Sequence, residues 1–125
     1  MPGLTEALHQ VMAIEGARAV ALIDIATGMV VRSVGEAAGE DGDFPAAAAS
    51  LADEARIACA MPGPERTGGD LDEISLVTAN RLQVSKILGS RPGGGCLLFV
   101  DLDRSRVNIA LASLQIGQLA PAVLG

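Results

Sequence analysis

Apolar positions along this chain recur with two different periods, and the switches between those periods outline its elements. From Leu4 to Ile14 they fall at Leu4, Leu8, Val11 and Met12, the spacing of a short amphipathic helix that Gly16 ends. Arg18 to Ile25 is apolar at nearly every position and is interrupted only by Asp24, which predicts a strand covered on both faces. Ala26-Thr27-Gly28 supplies turn chemistry, because glycine tolerates the positive φ that a hairpin needs. Met29 to Val34 returns as the second strand.

Gly35 to Asp43 is acidic and glycine-bearing, and predicts a solvated, mobile connection. Phe44 to Met61 is the longest helical candidate, with Pro45 suited to its first turn and alanine dominating its interior. One side carries Phe44, Ala48, Leu51, Ala55 and Ala58; the other carries Ser50, Asp53, Glu54 and Ile57. Pro62-Gly63-Pro64 stops this helix, and Glu65 to Asp70 reads as a second loop.

Three strand-like runs follow. Leu71 to Ala79 and Leu82 to Leu88 flank a turn at Asn80-Arg81 and come near to alternating, as strands close to a sheet edge do. Cys96 to Val100 is apolar throughout, as in a strand buried on both faces, and Gly89 to Gly95 before it reads as a long hairpin loop. Arg104 to Leu119 closes the chain as a helix, with a stripe of Val107, Ala110, Leu111, Leu114 and Gln118. The order is α-β-β-α-β-β-β-α. Short links between successive strands predict an antiparallel meander with helices packed on it, an α+β sandwich.

At 125 residues the chain is expected to form one domain with a single core. Its aromatics are only Phe44 and Phe99, so bases have no stacking platform. A net charge of −6 argues further against nucleic acid, and the same sign disfavours an anionic membrane surface. No apolar run has the length to span a bilayer, and the N-terminus lacks the basic and apolar regions of a signal peptide. The expected compartment is the cytoplasm. Cys59 and Cys96 lie in apolar periodic segments and are expected as buried free thiols.

Candidate chemistry is sparse. The one histidine, His9, sits in the first helix with no nucleophile near it in sequence, so it reads as a partly exposed helix residue. One histidine and two distant cysteines make a poor zinc set. Asp70, Asp72, Glu73, Asp101 and Asp103 do not follow the alternating spacing of a calcium loop, and Asp103 is expected to cap the last helix. Gly89 to Gly95 lacks the Gly-Lys-Ser/Thr ending of a phosphate-binding loop, and a strand follows it. The arginines are dispersed and none stands out as an arginine finger. The reading is no enzyme, no cofactor and no metal.

Three stretches carry a family resemblance. They are Gly16-Ala-Arg-Ala-Val-Ala-Leu-Ile-Asp-Ile-Ala-Thr-Gly28, Leu71-Asp-Glu-Ile-Ser-Leu-Val-Thr-Ala79, and Leu97 to Ala112. From Leu4 to Leu119 the chain resembles a Roadblock/dynein-light-chain domain, particularly the small bacterial, actinobacterial-like versions. The resemblance implies a five-stranded antiparallel sheet in the order second, first, fifth, fourth, third. It also implies homodimers formed by pairing third strands edge to edge, with the middle helices side by side. Carried over, the interface would use Ile74, Ser75, Leu76, Val77 and Thr78 of the third strand, with Ala48, Ala55 and Cys59 of the middle helix. An apolar edge strand is a liability unless paired, which gives dimerisation a physical motive.

Family members bind small GTPases or act as scaffolds. The resemblance thus implies a non-catalytic homodimeric regulator of a small Ras-like GTPase. Asp53, Glu54, Arg56 and Ile57, on the less apolar side of the middle helix, are the positions expected to meet that partner. A PAS- or GAF-like small-molecule sensor is the alternative. The shortage of aromatics and of convergent polar residues on the strands counts against it.

Overall fold

The computed structural model describes residues 3–35, 44–60, 73–91 and 94–123. The acidic stretch from Glu36 to Asp43, the Pro62-Gly63-Pro64 stop, the Glu65 to Asp70 loop and Asp72 therefore lie outside the described residues.

Among the described residues, three α-helices and five strands succeed one another as α1 (Leu4–Met12), β1 (Ala17–Asp24), β2 (Val30–Gly35), α2 (Phe44–Ala60), β3 (Glu73–Val77), β4 (Arg81–Arg91), β5 (Gly94–Asp103) and α3 (Ile109–Val123). The strands form one antiparallel sheet in the order β2-β1-β5-β4-β3. That is the order the resemblance implies, and the α+β class holds with it.

Burial explains the apolar runs. β1 lies between β2 and β5, so Ala19 to Ile23 are all buried, with successive side chains entering opposite layers. Leu97 to Val100 of β5 are buried in the same way. Asp24 ends β1 by building the turn: Thr27 donates to its carboxylate from both backbone N–H (3.1 Å) and hydroxyl (2.6 Å). Gly28 completes the turn at φ +76°.

One layer packs α1 and α3 on the sheet. Leu8 and Val11 of α1 and Ile116 and Val123 of α3 meet Val20, Leu22, Leu82, Val84, Leu98, Val100 and Leu102. The other layer is α2, whose Ala48, Ala52 and Ala55 meet Ala19, Ala21, Ile23, Ile87, Leu97 and Phe99. Alanine at i, i+4 and i+7 brings the α2 backbone close to the strands. A Cβ on Gly28 would lie 3.2 Å from Ala49 Cα, so the β1–β2 turn needs a glycine where the helix passes.

Three expectations are corrected. The Gly89 to Gly95 stretch is no long loop: β4 runs to Arg91, which pairs with Gly94, leaving two positions between the strands. A register shift after Leu88 and a φ of +107° at Gly95 accommodate this, which glycine allows.

Asp103 does not cap the last α-helix. Its side chain accepts from Ser105 N–H (3.0 Å) and caps a single 3₁₀ turn, Arg104–Arg106. Asn108 starts α3, its Oδ1 accepting from Leu111 N–H at 3.0 Å. The Asp103 carboxyl is held below the usual carboxylate range, first by the Ser105 hydroxyl and then by the Ser105 N–H, with help from the charges of Arg18 and Arg106.

The phase of α3 is also different. Ala110, Leu111, Leu114 and Gln118 are exposed, while Ala112, Ile116, Ala120 and Val123 are buried. No residue of α3 is charged, so its sequence holds no strong polar marker for the outward side.

Candidate interaction surface

β3 is the sheet edge on the side away from β2, and one of its two backbone edges is taken by β4. Glu73 anchors it, accepting from Ser113 Oγ of α3 at 2.8 Å and lying 3.8 Å from Lys86 Nζ. Ile74 is half-buried against the α2 layer. Ser75, Leu76, Val77 and Thr78 are exposed, with Leu76 at 56 % and Val77 at 44 %. Two large apolar side chains thus stand in solvent on one edge strand, a feature that sheets ordinarily avoid or cover. The turn behind it is firmly tied: Arg81 N–H donates to Thr78 Oγ1 at 3.0 Å, and the Arg104 guanidinium donates to the Thr78 carbonyl at 2.7 Å.

On α2, Asp53, Glu54 and Ile57 all face outward, Ile57 with 65 % of its surface open. Arg56 does not join them. Its guanidinium donates to the Ile25 carbonyl, reaches the Ala26 carbonyl at 3.5 Å and pairs with Asp53. It therefore clips α2 to the β1–β2 turn. Asp53 is half of that clip, and Glu54 and Ile57 are left as the unencumbered outward positions.

Ala48 and Ala55 also move to a different role. Both are fully buried in the protomer's own core, so neither has surface to offer a second copy. Small residues inside a helix are consistent with either use, and only the position of the sheet decides between them. The Cys59 side chain lies outside the described residues. Cys96 is partly buried beside the α1/α3 layer, less enclosed than its apolar sequence neighbours imply.

Other candidate groups resolve into structure. His9 is exposed on α1. Asp101, 6 % exposed, pairs with Arg81 across neighbouring strands, and Arg32 donates to Thr5 of α1. Arg32, Arg56, Arg81 and Arg104 thus all spend their guanidinium groups inside the protomer. Among the described residues no group of histidine, cysteine and carboxylate side chains could hold a metal ion. No helix there is long and apolar enough to cross a membrane. Sequence reasoning misses the exposed leucines of α3, because it places them in the buried stripe.

This arrangement of sheet and helices is that of the roadblock/LC7 fold. A Roadblock/LC7 domain from Streptomyces avermitilis superposes with a TM-score of 0.75 at 16 % identity, covering 98 % of this chain and 95 % of that one. The gliding protein MglB of Thermus thermophilus gives 0.75 at 19 % identity, over 96 % of this chain and 84 % of that one. MglB of Myxococcus xanthus gives 0.77 at 18 %, over 94 % and 89 %. No family model matches the sequence, and no curated protein matches it either.

Proposed function

We propose that this protein is a non-catalytic, cytoplasmic, single-domain regulator or scaffold that works as a homodimer and binds a small Ras-like GTPase. The observation that carries the reading is the β3 edge, where Leu76 and Val77 stand in solvent on a strand that, among the described residues, only β4 pairs. The roadblock/LC7 fold supports it, as does the likeness to MglB, a gliding protein. The GTPase rests on what the sequence resemblance implies for the family.

In this reading Ile74 to Thr78 pair with the same strand of a second copy. A two-fold axis normal to the sheet then keeps both α2 helices on one side, forming a shared platform. Glu54 and Ile57 meet the GTPase, while Asp53 and Arg56 hold the helix at its proper height. A small-molecule sensor would need room against the sheet. Here Val20, Leu98 and Val100 are closed off by the α1/α3 layer, and Ala21 and Leu97 by α2.

Light scattering should report about twice the 12.7 kDa chain mass. Val77→Pro, which removes a strand donor, should shift that mass toward one chain. Glu54→Lys with Ile57→Asp should abolish GTPase binding and any effect on the GTPase's hydrolysis rate, while dimer mass is kept. A monomeric wild type would sink the dimer. Unchanged GTPase binding by the α2 double variant would place the partner surface elsewhere.

A further inference from the structure

The two outer strands of the sheet are built differently. β3 matches β4 residue for residue, from Glu73 opposite Lys86 to Val77 opposite Leu82. β2 does not match β1 in this way. Ile23 lies opposite Val30, yet its neighbour Leu22 lies opposite Arg32, so Val31 is one residue more than the ladder can pair. That is a β-bulge, and its surplus residue is 51 % exposed.

The core has no use for Val31. Val30 packs against the α2 layer and Val34 against the α1/α3 layer. Without Val31, Val30 and Arg32 would be consecutive and would face consecutive residues of β1, which is what a regular strand requires. The effect of the bulge therefore falls on the outer edge. A bulge bends its strand and raises the local twist, so the outward N–H and C=O groups leave a common line. An incoming strand needs that line, and sheets close their edges by this means. Gly35 shortens what is left. At φ +79° it turns out of the extended region, and a Cβ there would lie 2.6 Å from the Arg18 carbonyl oxygen. Only Arg32, Ser33 and Val34 stand between the bulge and that turn, and Arg32 is drawn toward α1 by its bond to Thr5.

We infer that the Val31 bulge closes the β2 edge to strand addition, so that the sheet can grow from copy to copy only through β3. A chain with two open edges exposes a fresh edge at every addition and grows without limit. With one open edge, pairing of like strands stops at two copies. The β2 edge is closed whether or not β3 pairs, so the inference stands apart from the dimer.

Deletion of Val31 tests it, read by sedimentation across a wide concentration range. Val30 keeps its place opposite Ile23, and Arg32 its place opposite Leu22, so circular dichroism should show the fold retained. At high concentration the deleted chain should reach at least twice the wild-type mass. The same gain should appear in a Val77→Pro background. Hydrogen exchange should show new protection of the β2 amides in the larger species. A folded deletion chain that matches the wild-type mass at every concentration would overturn the proposal, and so would a gain in mass without protection of β2. A monomeric wild type would sink the dimer alone, because the gain on deletion is still expected. The wild type decides the matter even if the deleted chain fails to fold. Its β2 amides should exchange at the same rate at every concentration, and protection of β2 that grows with concentration would show an open edge and overturn the proposal.

Discussion

On one face of the sheet, Leu8, Val11, Leu82, Leu98, Leu102 and Ile116 fill a deep layer beneath α1 and α3. On the other, α2 rests on the strands through Ala48, Ala52 and Ala55. The first face is held by volume. Fully burying each large side chain contributes about 1.5–3 kcal/mol, and an alanine supplies far less. The second is held by close approach and by a polar clip, Arg56 on the carbonyls of the β1–β2 turn. A face that depends on volume should suffer when atoms are removed, and one that depends on proximity should suffer when atoms are added.

The largest effect is expected from Leu98→Ala, which opens a cavity at a fully buried position under α1 and α3. Urea denaturation should show a loss of about 3 kcal/mol. On the α2 side the damaging change is the reverse one. Ala52→Leu should cost about 2 kcal/mol by forcing the helix off the strands, and the same assay would read it. If Ala52→Leu is neutral, α2 is looser on the sheet than its buried alanines indicate.

Arg56→Ala sharpens the comparison at smaller scale. Its loss should cost about 1 kcal/mol in global stability, because the side chain is partly exposed. Hydrogen exchange should nevertheless speed up selectively in α2, leaving β1 and β5 amides protected. Uniform exchange across both layers would show that the clip does not act on α2 in particular.

The smallest effect lies at the end of β5, at the 3₁₀ turn. Folding lowers the Asp103 pKa below its ordinary 3.8. The associated stabilisation is present above that ordinary value and is lost as pH falls through the folded one. Wild type should therefore melt slightly above Asp103→Asn near neutrality, and the gap should close as the buffer is acidified below about pH 4. A gap that persists in acid would remove the carboxylate charge as its cause.

The central strands, which feed both layers, are the part easiest to read from sequence. Arg18 to Ile25 and Cys96 to Val100 are apolar without alternation, and that alone places them mid-sheet. The edge character of Ile74 to Thr78 is also visible there. Where small or uncharged residues carry the structure, the pattern loses its direction. Ala48 and Ala55 suit a core or an interface equally well, and α3 has apolar residues on every side with no charge to set its phase. The β4–β5 hairpin is hidden because Gly94 and Gly95 read as loop while sitting in a ladder. The Arg56 clip needs the fold itself, since its acceptors are backbone carbonyls on a distant turn.

The central ladder of the sheet joins β1 to β5, so that Ala21 sits opposite Phe99, far along the chain. During synthesis β1 emerges long before its second neighbour exists. It waits with one edge unpaired and with both apolar faces lacking the layers that later cover them. A run such as Ala19 to Ile23 is then at its most adhesive. Arg18 on one side and Asp24 on the other bracket it with opposite charges, the placement that flanking residues take beside unavoidable apolar strands. Asp24, which ends the strand in the finished protein through its bonds to Thr27, is thus already one of two charges flanking the run while the chain is still being made.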